Sequence, residues 1–222
     1  MKTIVPFLKN LSENNNREWF NINKPQYTEA KNEFESFLNQ LIVGVQSFDE
    51  SIGILKSKDC VFRIYRDVRF GHDKQPYKTN FGGIIARNGK KSSYAGYYLH
   101  IDPQGCFLGG GIYQPSPEVL LAIRNEIYFN SEEVLSILNK AEFVKIFGGI
   151  SDESKLKNPP KGFDPEFKYI DLLKFRNYTV INSFNADLVN SEKFIEMVLE
   201  AFKAMKPFNL FLNRAIDNRE HK

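Results

Sequence analysis

Between Phe62 and Tyr77 the chain sets Arg63, Arg66, Arg69 and Lys74 beside Asp67 and Asp73, among strand-forming residues. Charges in or near a core must be paired or put to use. Arginine offers planar, two-pronged donors that match carboxylate or phosphate, and lysine adds a point charge. Arg63, Arg66, Arg69, Asp73, Lys74 and Lys78 are therefore the candidate ligand-binding residues, and an anionic oxygen group is the candidate ligand. Asp67 and Tyr77 are the candidates for proton transfer. Asp67 could orient an arginine, and Tyr77 among cations is expected to lose its proton more easily. Pro76 fixes the loop before Tyr77.

The composition predicts a strand from Cys60 to Phe70. Alternation then places Phe62, Ile64, Arg66, Val68 and Phe70 on one face, and Val61, Arg63, Tyr65, Asp67 and Arg69 on the other. Arg66 would sit amid apolar neighbours and need an acid, with Glu18 one candidate. Arg63 and Arg69 would lie about 20 Å apart in a straight strand, so they reach one ligand only if the chain curves.

Charge is unevenly spread. Arg63 to Lys91 holds eight basic residues against two aspartates, whereas the remainder of the chain carries a net −3. A local basic excess favours an anionic partner. Lys90 and Lys91 are also explained by a solvated hairpin turn. Three functional readings follow. One is a site for a phosphorylated or carboxylated small molecule, with or without catalysis. Another is a noncatalytic protein in which the cluster is an internal ion-pair network. The third is nucleic-acid binding with Tyr65, Tyr77 or Tyr94 stacking, against which the overall charge of only +3 and the lack of a known motif both argue.

The pattern Arg63, Arg66, Asp67, Arg69, Phe70, then Asp73, Lys74 and Tyr77, resembles the signature of the bacterial and fungal proteins grouped as domain of unknown function family 2461. Asn16-Arg17-Glu18-Trp19-Phe20 and Gly109-Gly110-Gly111 are also similar to it, so the resemblance extends over nearly the whole chain. It implies that the cluster matters, and it brings no activity with it.

The elements that must position these residues read as α+β. Apolar residues at Tyr27, Ala30, Phe34, Phe37, Leu38, Leu41, Ile42 and Val45 predict a helix from Pro25 with one buried stripe. Asn14-Asn15-Asn16 reads as an earlier helix start. Gly82–Arg87, Tyr94–Asp102 and Cys106–Tyr113 read as strands joined by short turns at Asn88-Gly89 and Pro103-Gln104-Gly105, which implies an antiparallel meander over roughly residues 60–113. Gly109-Gly110-Gly111 suggests a bulge or a close backbone approach, with phosphate binding the weaker reading. Ser116-Pro117 begins a helix to Tyr128, and another runs to about Ala141. Gly148–Asp164 reads as a long loop, and residues 178–184 as a further strand. Ser191 starts a helix to Met205, which Pro207 is expected to break before a last helix to Asp217. No composition shift marks a boundary, so one domain over residues 1–222 is expected.

Apolar content of 42% and charged content of 26% are those of a globular protein, and no apolar run is long enough to span a bilayer. No membrane partner is expected. Cys60 and Cys106 form no paired motif, and with no secretory signal visible the cytoplasm is the expected compartment. Both cysteines read as small buried hydrophobes rather than nucleophiles. His72, Asp73, His100 and Asp102 could be drawn together around a metal, but their spacing matches no metal motif, and neither a metal nor an organic cofactor is expected.

Overall fold

A computed structural model of the chain describes residues 1–67 and 74–220. Among them the architecture is α+β: a four-stranded antiparallel meander, with helices from both ends of the chain packed on one face. Helices α1 (Ile4–Glu13), α2 (Arg17–Ile22) and α3 (Lys24–Gln46) lead into the sheet. The predicted stripe of α3 is buried from Ala30 to Val45, and Pro25 occupies its first turn. Asn16 caps α2 by accepting a bond from the Trp19 amide. A four-residue helix, α4 (Ser57–Cys60), precedes the basic segment.

Strands β1 (Phe81–Ala86), β2 (Gly96–Ile101), β3 (Cys106–Ile112) and β4 (Tyr178–Phe184) pair in that order. Register sets Ile85 opposite Tyr97, Leu99 opposite Leu108, and Gly110 opposite Val180. The two-residue period then separates the faces. Ile85, Tyr97, Leu99, Leu108, Val180 and Tyr178 are buried on the inner face. Ile84, Tyr98, His100, Phe107 and Ile181 are half-buried on the outer one.

Helices α5 (Pro117–Phe129), α6 (Ser131–Leu138), α7 (Ala141–Phe147) and α8 (Ile170–Leu173) lie between β3 and β4. The predicted long loop is present: residues 148–169 form no helix or strand, and Ser151 and Leu156 anchor them by donating to Thr179 and Lys174 carbonyls.

The last helix corrects an expectation. It is one element, α9 (Phe194–Glu220), with Pro207 inside it. An interior proline costs about 3 kcal/mol through its lost amide and ring clash. Phe202, Met205, Phe208, Phe211 and Leu212 are all buried on either side of it. At ~1.5–3 kcal/mol for each large apolar side chain, that burial outweighs the break.

The glycine run explains how α9 reaches the sheet. The ladders on both sides of β3 continue without a bulge, so close approach is the correct half of the earlier reading. A Cβ on Gly110 would stand 1.9 Å from the Met205 sulfur and 2.7 Å from the Gly96 carbonyl oxygen. Gly111 adopts φ +91°, open to glycine and strained for other residues. These positions are buried beneath α9 and leave no room for phosphate. Gly110→Ala is expected to destabilise the protein by roughly 1–3 kcal/mol, whereas Gly105→Ala, with nothing near its Cβ, should be neutral. Urea unfolding midpoints check this, and equal midpoints would contradict it.

Candidate functional site

The basic segment does not continue as the regular strand expected from Cys60 to Phe70. Cys60 closes helix α4. Val61 then bridges Gly83 on the outer edge of β1, and the Phe62 amide donates to the Gly82 carbonyl at 2.9 Å. Beyond Phe62 the chain leaves that edge and pairs with its own return. Arg66 donates to the Pro76 carbonyl, Lys78 donates to that of Ile64, and Tyr65 bridges Tyr77. The buried positions are Val61 and Ile64, three apart, so alternation fails. Arg63 and Arg66 are exposed, which removes the expected need for a buried acid beside Arg66. The physical reason is the desolvation penalty of a guanidinium, which the chain avoids by turning its arginines to solvent. Residues 68–73, including Val68, Arg69, Phe70, His72 and Asp73, lie outside the described residues.

Tyr77 anchors the return strand. It is 4% exposed, and its ring stacks on Phe20 at 3.9 Å and 12°. Its backbone is held on both sides by Asn15, which accepts from the Tyr77 amide at 3.2 Å and donates to its carbonyl at 2.9 Å. Burial, and then Tyr65, push its hydroxyl above the usual value, while Arg17 opposes them. The net direction is opposite to the activation expected among cations. In this geometry Tyr77 positions the arginine segment. Asp67 is exposed.

The edge segment from Val61 to Arg63, α3, α4, the start of β1 and the turn after it line a cleft of about 630 Å³ at the sheet edge. Tyr27, Lys31 and Glu35 enter from one row of α3, spaced four residues apart. Lys58 comes from α4, and Val61, Phe62 and Arg63 come from the edge segment. Lys90 and Lys91 come from the single helical turn Gly89–Lys91, which Asn88 starts in the left-handed conformation at φ 67°. Lys90 donates to the Lys58 carbonyl at 2.7 Å, which ties this turn to α4. Lys31 pairs with Glu35 at 3.4 Å. Among the described lining residues, five cations therefore face one carboxylate, and that carboxylate already has a partner.

Lys78 lies on the other side of Phe62, half-buried, with its ammonium 5.8 Å from the ring centroid. Burial first, then Arg63 and Arg66, hold that ammonium below its ordinary value. Phe62 meets Tyr98 edge-on at 6.2 Å, and Tyr98 bonds His100 Nδ1 at 3.0 Å. His100 in turn stacks on Phe107 at 4.5 Å.

Of the ligand-binding residues expected from the sequence, Arg63 lines the cleft. Arg66 and Lys78 stand beside it as electrostatic neighbours, and Lys74 is exposed. Arg87 is drawn away into a 2.9 Å ion pair with Asp217. Lys31, Lys58, Tyr27 and Glu35 were missed. The available signal was the row Tyr27-Lys31-Glu35, flanking the apolar stripe of α3. Cys60 and Cys106 are free and buried, and burial pushes the Cys60 thiol up to about 11. No group of three or more His, Cys, Asp or Glu among the described residues could hold a metal. No helix among them is long and apolar enough to cross a membrane.

Burial holds the His100 imidazole below its ordinary value; Asp102 opposes this and Lys78 reinforces it. A depressed folded-state pKa contributes stability that is present above the unfolded value of about 6.5 and is lost as pH falls through the folded value. A nuclear magnetic resonance titration should place the His100 midpoint below about 6.5, and Lys78→Met should raise it. A wild-type midpoint at or above that value would contradict this.

No curated protein and no solved structure matches the chain. The family described as conserved hypothetical protein (DUF2461) matches residues 3–211. That match spans nearly the whole chain and includes the basic segment and every cation of the cleft, so the protein belongs to the DUF2461 family.

Proposed function

We propose that the cleft beside β1 is a binding site for an anionic small molecule, phosphorylated or carboxylated. The observation that carries this is the excess of lysine and arginine around one concavity, where the single carboxylate among the described lining residues, Glu35, is already paired to Lys31. Ion pairs between side chains described elsewhere match each cation with an acid: Arg87 with Asp217, Lys174 with Asp171, and Arg214 with Glu126 and Glu133. Lys58, Arg63, Lys90 and Lys91 enter none of them. A purely internal ion-pair network would place acids where the cleft places space.

The proposal is for binding rather than catalysis. Tyr77 is buried in a ring stack, and Tyr27, which lines the cleft, has its hydroxyl pushed up to about 12, chiefly by burial. A tyrosine in that state donates a hydrogen bond to an anion and does not serve as a base near neutral pH. Arg66 and Lys78 belong to the proposal as neighbouring charges that draw the anion in. A cytoplasmic setting is part of the same proposal, supported by two free, buried cysteines in place of a disulfide framework.

Thermal unfolding with inorganic pyrophosphate tests it. At roughly a hundredfold excess over Kd, binding adds about 2.7 kcal/mol, which is roughly 5–10 °C for a protein of this size. The pair Arg63→Ala with Lys91→Ala should abolish that shift while leaving the ligand-free melting temperature nearly unchanged, because both side chains are exposed. The absence of a shift in the wild type, or a shift that survives in the double variant, would refute the proposal.

A further inference from the structure

We propose, resting on the anion-binding reading of the cleft, that its occupant is a nucleoside di- or triphosphate: linked phosphoryl groups against Lys58, Lys90 and Lys91, and a flat ring against Phe62.

Charge sets the valence of the ligand. Five cations against one carboxylate leave an excess of four among the described lining residues. A terminal phosphoryl group carries about −1.5 to −2 near neutral pH, so one such group offsets at most half of that excess. A monocarboxylate offsets still less. Two or three linked phosphoryl groups match it. Lys90 and Lys58 come from elements joined by their own hydrogen bond, and Lys91 follows directly, so one end of the ligand meets a dense cationic patch.

Phe62 sets the other half. It is a large apolar ring that remains 37% exposed inside a cationic wall, one residue before Arg63. Its edge packs toward Tyr98 at an interplanar angle of 66°, which fixes the orientation of the ring. An oriented, accessible ring beside an arginine is a seat for a planar base. The size of the cleft favours a small molecule over a nucleic-acid strand. A concavity of about 630 Å³ falls within the range of small-ligand sites, roughly 300–1,000 Å³, and the cations converge on it rather than following an extended track.

Calorimetric titrations with ATP, CTP and inorganic tripolyphosphate test the inference. The nucleotides should bind about tenfold more tightly than tripolyphosphate, as expected for one stacked base. Phe62→Leu should erase that difference without changing tripolyphosphate affinity, and Phe62→Tyr should retain it. The melting temperatures of the free variants check that each is folded. Equal affinities for nucleotides and tripolyphosphate in the wild type would overturn the ring seat and leave the anion cleft standing. Failure of all three to bind would overturn the anion cleft and this inference together. A single-stranded oligonucleotide that displaces both nucleotides would overturn it in favour of a nucleic-acid partner.

Discussion

Like charges gathered around one hollow repel each other, and the scaffold must hold them there. In water the repulsion between two unit charges on the order of 10 Å apart is about 0.4 kcal/mol, and it grows where the surroundings are less polar. Beside the cleft, burial disfavours the Lys78 charge, and Arg63 and Arg66 add to that. Each cation of the cleft comes from an element secured elsewhere. α3 is fixed by its buried stripe, α4 by Asn39 accepting from the Ser57 amide, and the Gly89–Lys91 turn by its bond to α4. The repulsion is thus offset by apolar burial and by hydrogen bonds, one of which the Lys90 ammonium itself supplies.

The edge segment is the most delicate part of this arrangement. Its arginines cannot be buried cheaply, so among the described residues the buried side chains that hold it to the body are Val61, Ile64 and Tyr77. Phe20 provides the surface for Tyr77, and Asn15 satisfies both backbone groups of Tyr77 as a strand neighbour would. The run Asn14-Asn15-Asn16 therefore has two jobs. Asn16 starts α2, which presents Phe20, and Asn15 clamps the residue that stacks on it.

Much of the fold was legible in the sequence because its signals are local. The stripe of α3, the Asn88-Gly89 turn and the alternating residues of β2 are set by near neighbours, and β4 matches its expected limits. Pro207 misled because its helix is held by packing across the core, which a local reading of proline cannot see. The alternating pattern of residues 60–67 misled for the converse reason. It reads as one strand with two faces, yet among the described residues it pairs first with the start of the β1 edge and then with the chain's own return at Tyr77. Of the site, Arg63 was legible by composition. Lys31 and Lys58 were not, because their convergence with Lys90 depends on how three distant elements meet.

The central claim is that these cations hold space for an oxyanion. A crystal structure determined from ammonium sulfate, with anomalous data collected to locate sulfur, tests it most directly. A well-occupied sulfate is expected in the cleft, within hydrogen-bonding reach of Arg63 and at least one of Lys58, Lys90 and Lys91. An empty cleft in crystals that hold ordered sulfate elsewhere on the molecule would contradict it.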